Sequence, residues 1–108
     1  MSMLNKEEEN KLRTYLEFLL RKRDVFVGEK MNESLPKKAK YLFILPDCNE
    51  KNVSNLLYYK TINADLTIVH YKGYFPIKDV LGYEKLNAFS TTDINLGKAI
   101  ASILEKDM

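Results

Sequence analysis

The sequence predicts one α/β domain over residues 1–108, a three-layer α/β/α sandwich around a four-stranded, mainly parallel or mixed sheet. Tyr41 to Leu45 is a run of five apolar residues without polar alternation, as in a strand buried on both faces. Segments with helical periodicity alternate with short β-branched or aromatic segments along the chain, which is typical of helices layered on both sides of a sheet. The hydrophobic share of 45% is ordinary for a globular protein.

The N-terminal part is predicted to contain two helices and one strand. The first helix covers about residues 5–21, with Glu7–Glu9 in its first turn and Arg21–Arg23 at its end, both favourable to the helix dipole. Its apolar face consists of Leu12, Tyr15, Leu16, Leu19 and Leu20. Asp24–Val27 is predicted to be a short strand that ends at Gly28. A helix of one or two turns is predicted over Glu29–Leu35, because Pro36 disfavours helical geometry in the residue before it.

The central strand, Tyr41 to Leu45, is expected to end at Pro46, which has no amide hydrogen for a sheet ladder. Asp47 is expected to cap the helix that follows, over residues 49–63. Leu42 and Ile44 are expected to be buried, one towards each helical layer.

The C-terminal part alternates strands and helices in the same way. The third strand is predicted at Leu66–His70, a short helix at Ile77–Leu81 and the fourth strand at Leu86–Ser90. Thr91–Asp93 is predicted to open a last helix. Its apolar face consists of Leu96, Ala99, Ile100, Ile103 and Leu104.

The sequence contains no pattern of reactive residues that indicates an enzyme. His70, the single histidine, has no sequence partner that defines a nucleophile or an orienting acid, and Cys48 has no second cysteine. One Cys and one His do not make a zinc site, and the four glycines form no phosphate loop. We therefore expect no catalysis, metal, cofactor or small-molecule substrate. A single cysteine and an N-terminus without an apolar signal core predict a cytoplasmic protein with no membrane partner.

Polar side chains follow two of the predicted strands. If these strands are parallel, Gly28–Lys30 and Asp47–Asn52 lie at the same end of the sheet and offer free amides, lysines and asparagines, which contact phosphates or base edges. The net charge of +2 is mild, but basic residues cluster at Arg21–Arg23 and Lys37–Lys40. These features fit either an RNA-binding face or ordinary solvated loops and helix ends.

Several motifs, in order, resemble a known family. Gly28-Glu29 resembles the residues that open its second helix, and Ala39 to Asp47 resembles its Ala-Lys, apolar strand and acidic dipeptide. Gly82-Tyr83-Glu84 resembles its Gly-Lys-Glu loop, and Thr92-Asp93 with Lys98-Ala99-Ile100 resembles its last helix. The family is that of the large-subunit ribosomal proteins seven-Ae and thirty-e, particularly their small bacterial YlxQ-like relatives.

The resemblance implies a three-layer sandwich that binds structured RNA, such as a kink-turn or ribosomal RNA, without catalysis. The residues expected to contact RNA are Gly28, Glu29, Lys30, Asn32, Glu33, Lys37, Asp47, Asn49, Lys51 and Lys85. Aligned from Gly28, Lys30 and Met31 occupy the positions of the family's Asn-Glu pair. The alternative is a protein-interaction module that keeps the fold and has lost RNA binding. An exposed cluster from Tyr58, Tyr59, Tyr71, Tyr74 and Phe75 would favour that alternative, and convergence of Lys30, Lys37, Lys51 and Lys85 would favour RNA.

Overall fold

The apolar run of the sequence forms the middle strand of the sheet in a computed structural model, which describes residues 3–107. The elements are α1 (Lys6–Arg21), α2 (Gly28–Ser34), β1 (Tyr41–Ile44), α3 (Glu50–Leu57), α4 (Tyr59–Ile62), β2 (Thr67–His70), α5 (Ile77–Leu81), β3 (Ala88–Thr91) and α6 (Ile94–Lys106). None of the helices within this range is long and apolar enough to cross a membrane.

The sheet is mixed and has three strands, in the order β2-β1-β3. β1 runs parallel to β2 and antiparallel to β3. The prediction of four strands is wrong, because Asp24–Val27, the first of them along the chain, pairs only through Phe26, with Ser90 of β3. The carboxylate of Asp24 accepts the Thr92 amide hydrogen instead, at 3.0 Å, and Gly28 already begins α2. The segment is therefore too short for a ladder.

Helices cover both faces of this sheet. On one face, residues of α1, α5 and α6 pack against Phe43 and Phe89, whose rings stack with centroids 5.0 Å apart. On the other face, α2 and α3 pack against Leu42 and Ile44, both fully buried. The expectation that Leu42 and Ile44 point to different layers is wrong, because side chains two residues apart in a strand share a face.

Three helices begin at side chains that accept a free amide hydrogen. Asn5 and Glu8 form a reciprocal capping box at the start of α1, and Asp93 accepts the Leu96 amide of α6 at 2.8 Å. Asn49 caps α3 through the Asn52 amide, at 2.9 Å, so the assignment of that cap to Asp47 is wrong. Asp47 lies in the turn before Asn49 and forms an ion pair with Lys78 of α5.

The predicted helix over residues 49–63 is divided at Tyr58 into α3 and α4. The Thr61 amide donates to the Tyr58 carbonyl three residues back, which tightens the last turn. Asn63 then ends α4, and its side-chain amide donates to the carbonyls of Leu35 and Ala39, at 2.9 and 3.0 Å. This contact fixes the end of α4 against the turn between α2 and β1.

A buried polar cluster joins the two ends of the described chain. The Tyr71 hydroxyl donates to Asp107 Oδ2, and the Met3 amide donates to Asp107 Oδ1 over 2.6 Å. Burial, together with the Asp107 carboxylate, raises the pKa of Tyr71. A Cβ at Gly73 would overlap both the Asp107 carboxylate and the Tyr71 hydroxyl, so the chain needs glycine there.

Candidate functional site

A groove of about 840 Å³ lies between α2 and α3 and opens where β1 ends. Its apolar lining comes from Met31 of α2, Leu56 of α3 and Ala88 of β3, all buried. Two smaller cavities measure about 580 and 280 Å³.

The walls of the groove carry carboxamide side chains. Asn32 comes from α2, while Asn52 and Asn55 come from α3, three residues apart and therefore on one helical face. A carboxamide both donates and accepts hydrogen bonds. Opposed amides of this kind match planar ligands whose edges present donors and acceptors side by side.

Tyrosine rings complete the walls. Tyr58 and Tyr59 meet edge to face, with ring centroids 6.3 Å apart, at the junction of α3 and α4. Tyr83 lines the groove from the segment before β3. Tyr58 is 62% exposed, so its ring face is accessible to a ligand. Aromatic rings held this way are typical stacking surfaces for flat apolar or aromatic groups.

One cation and one thiol also line the groove. Lys85 is exposed and precedes β3, while Cys48 is half-buried in the segment between β1 and α3. Burial raises the pKa of the Cys48 thiol, which favours the protonated, weakly nucleophilic form. Gly28 starts α2 with φ of +59°, a conformation that other residues rarely adopt.

Three of the residues predicted to contact RNA meet in this groove, namely Gly28, Asn32 and Lys85. Four others lie near this end of the molecule but do not line the groove. Glu29 and Lys30 are exposed on α2, Lys51 is exposed in the first turn of α3, and Asn49 is occupied as the cap of α3. Glu33 is exposed in the last turn of α2, away from the groove. Asp47 lines a separate cavity and pairs with Lys78, Nζ to Oδ2, at 3.3 Å.

Lys37 lies at the opposite end of the sheet. Gly28 begins α2 at the groove, and the helix runs back towards the start of β1, so Lys37 follows its far end. The four lysines Lys30, Lys37, Lys51 and Lys85 therefore do not converge on one face. Carboxylates are also interspersed near the groove, at Glu29, Asp47, Glu50 and Glu84.

The sequence reasoning missed Asn55 and Asn87, and it named Tyr59 for a protein-interaction cluster but not for an RNA site. A signal for the groove was present in α3 and α4, because Asn52, Asn55 and Tyr59 follow the i, i+3, i+7 spacing of one helical face. This face is polar and lies towards the groove. A search for polar as well as apolar periodicity would have found it.

The five aromatic residues named for a protein-interaction surface do not form one cluster. Tyr71 and Phe75 are buried between the sheet and the layer of α1 and α6, and Tyr74 is 72% exposed beside another cavity. The Tyr58 and Tyr59 rings contact each other, and the Phe75 amide donates to the Tyr71 hydroxyl at 2.9 Å in the core.

His70 and Cys48, the two reactive side chains weighed from the sequence, form no hydrogen-bonded pair within residues 3–107. The His70 ring, at the end of β2, makes no hydrogen bond there to Cys48 or to a carboxylate. No group of three or more His, Cys, Asp or Glu side chains in residues 3–107 is arranged to hold a metal ion. The absence of catalysis stays a prediction.

The fold and groove define a mixed α/β domain with helices on both sheet faces and a ligand-sized groove between two helices of one layer. No protein-family model and no curated protein sequence matches the chain. Its structure is similar to a solved structure described as that of a protein with unknown function from Bacillus halodurans C, with a TM-score of 0.67. The match covers 88% of this chain and 97% of that chain at 14% identity, so the likeness concerns the fold alone.

Proposed function

We propose that this domain binds structured RNA without catalysing a reaction, in the cytoplasm, and that the groove between α2 and α3 is the recognition site. The observation that carries the proposal is the convergence of Asn32, Asn52 and Asn55 with the Tyr59 and Tyr83 rings in one groove. Carboxamides hydrogen-bond to base edges, and tyrosines stack on bases that are not paired. The resemblance to kink-turn-binding ribosomal proteins supports the same ligand class.

The groove fits nucleotides that project from a folded RNA better than it fits a continuous duplex. Its volume of about 840 Å³ is within the range of sites that enclose a small ligand. Sequence-specific RNA recognition mostly uses loops and bulges whose bases are splayed out of the stack. With Lys85 as the only cation that lines the groove within residues 3–107, recognition there depends on hydrogen bonding and stacking more than on phosphate charge.

The test is a fluorescence-anisotropy titration of labelled kink-turn RNA and of a straight duplex of the same base composition. Replacing Asn32 and Asn52 together with Ala should abolish the preference for the kinked RNA, because the amides that read base edges are lost. Both positions are helical, so alanine should not weaken the fold. Asn10→Ala, exposed on α1, is the matched control and should retain the preference. Equal wild-type affinity for the two RNAs would refute the proposal.

A protein-interaction module is the second candidate, favoured by apolar side chains on the surface of α3 and α4. Leu57, Tyr58 and Ile62 are 47%, 62% and 50% exposed. Large exposed apolar side chains grouped on one surface are a common sign of a protein contact. If the domain binds neither RNA, and Leu57→Ser with Ile62→Ser lowers its recovery with a cellular protein partner, this candidate replaces the RNA proposal.

A further inference from the structure

The two basic clusters of the sequence meet at the end of the sheet opposite the groove. Arg21–Arg23 follow α1, and Lys37–Lys40 lead into β1. The Lys40 amide donates to the Thr91 carbonyl at 2.9 Å, and the Thr92 amide donates to Asp24 at 3.0 Å. The two basic clusters thus follow backbone segments on either side of the end of β3. These segments are roughly 10 Å apart, which is two interstrand spacings.

The basic end remains positive after its ion pairs are counted. We define it as Arg21, Lys22, Arg23, Lys37, Lys38 and Lys40. Lys22 pairs with Asp93, and Lys40 approaches Asp65 at 3.9 Å. A third carboxylate, that of Asp24, is buried and accepts hydrogen bonds from Thr92. Six basic and these three acidic side chains sum to +3, and Glu17 and Glu33, four residues before Arg21 and Lys37, lower the sum to +1.

Four cations of the basic end are exposed and have no carboxylate partner within residues 3–107, namely Arg21, Arg23, Lys37 and Lys38. Arg21 lies against the ring of Phe18, with its guanidinium carbon 5.7 Å from the ring centroid. Cations on both sides of a strand end present a broad positive surface, which attracts a polyanion over a Debye length.

The local backbone at Arg23 favours a different residue. Arg23 has φ of +56°, in the left-handed region, and forms the Schellman turn that ends α1. Its amide donates to the Leu20 carbonyl and the Asp24 amide donates to the Leu19 carbonyl, both at 3.0 Å. Glycine is the residue usually found at this position, because a Cβ is unfavourable there. The fold therefore does not require an arginine at position 23.

We infer that the basic end is a second RNA-contacting surface, which binds the phosphate backbone while the groove binds bases. The inference rests on the proposed function for its choice of RNA as the polyanion. β1 separates the two ends by only about 13 Å, four residues of strand, so one folded RNA can contact both. Affinity and salt dependence then come mainly from the basic end, and the preference for an RNA shape comes from the groove.

The experiment repeats the kinked and straight RNA titrations at several KCl concentrations. Lys37→Gln with Lys38→Gln should weaken binding to both RNAs and reduce the slope of log affinity against log salt by roughly 1.4–1.8, about 0.7–0.9 for each lost phosphate contact. The preference for kinked RNA should stay unchanged. Lys6→Gln with Lys72→Gln is the control, because both lysines are exposed and outside the basic end. This control should leave the salt slope within about 0.3 of the wild-type slope, which is roughly a third of the change expected from one lost phosphate contact.

The outcomes separate the two proposals. If the Lys37 and Lys38 changes alter the slope no more than the control does, the second surface is refuted, while loss of preference in the Asn32 and Asn52 variant would still support the groove. If the slope flattens but wild type has no preference, the basic end is supported and the groove proposal fails. If the lysine changes reduce binding to phosphatidylserine vesicles and leave the RNA slope unchanged, the surface binds membranes and the RNA assignment is overturned.

Discussion

Replacing Arg23 with glycine should stabilise the protein. A residue with a Cβ in the left-handed conformation costs about 1–2 kcal/mol, and Arg23 has φ of +56°. Glycine also makes the unfolded chain more flexible, which offsets about 0.4–1 kcal/mol of that gain. The Arg23 side chain has no ion pair or hydrogen bond within residues 3–107 that the change would remove. The net expectation is a gain of about 0.5–1 kcal/mol in the free energy of unfolding.

Urea denaturation followed by circular dichroism measures this gain, and the melting temperature should rise by about 3–6 °C. Arg23→Ala is the control, because alanine removes the charge but keeps the Cβ, and its stability should stay within about 0.5 kcal/mol of wild type. If Arg23→Gly is no more stable than Arg23→Ala, the backbone at this turn is not strained and the reasoning is wrong. If the basic end binds RNA, Arg23→Gly should also flatten the salt slope by roughly one phosphate contact while it stabilises the fold.

Two further changes test the fold. Gly97→Ala should lower the free energy of unfolding, measured in urea, by about 1–3 kcal/mol, because the new Cβ would lie 2.8 Å from Cγ of the Tyr41 ring. The control Ser102→Ala, at an exposed position of the same helix, should leave this free energy unchanged. A Gly97→Ala protein more stable than wild type would contradict this packing. Asp93→Ala should cost about 1 kcal/mol through the lost cap of α6, whereas Asp93→Asn keeps an acceptor. Lys22 and the Leu96 amide lower the pKa of Asp93 from 3.8, so its charge stabilises the fold above about pH 4 and that contribution is lost as the pH falls through the lowered pKa. The difference in urea midpoint between wild type and Asp93→Asn should therefore shrink from pH 7 to pH 2, and a constant difference would count against the ion pair.

Most elements were predictable because local signals determine them. The central strand follows from an uninterrupted apolar run, and α6 follows from Asp93 and the apolar stripe behind it. The bounds of α5, Ile77–Leu81, were predicted correctly because Pro76 precedes it and Gly82, with φ of +85°, ends it. In each case the signal lies within a few residues of the structure that it specifies.

Two of the errors involve partners distant in sequence. Asp24 belongs to a β-branched and aromatic segment, but its carboxylate bonds to Thr92, 68 residues away, and the predicted strand is reduced to one bridge. The predicted helix over residues 49–63 is interrupted at Tyr58. The Asn63 side chain after it donates hydrogen bonds to the carbonyls of Leu35 and Ala39, and no local sequence pattern indicates these partners.

The candidate site was predicted only in part for the same reason. Gly28, Asn32 and Lys85 were named from the family resemblance, and the structure brings these three to one groove. Lys37 was grouped with them because of its place in sequence, and the direction of α2 takes it to the opposite end. The groove is lined from α2, α3 and β3, and how two helices pack beside a strand is not readable from any one of these segments.

The contact between Met3 and Asp107 determines how the domain can be attached to a surface. The Met3 amide and the Asp107 carboxylate are 2.6 Å apart, in the layer formed by α1 and α6. A linker fused at either residue therefore emerges from the same position on the surface, on the face away from α2 and α3. A sensor chip or optical trap that holds the domain by this spot would orient the groove towards the solution. A few glycines joining residues 107 and 3 would likewise permit a circular permutant reopened at the exposed Ala64–Asp65 turn.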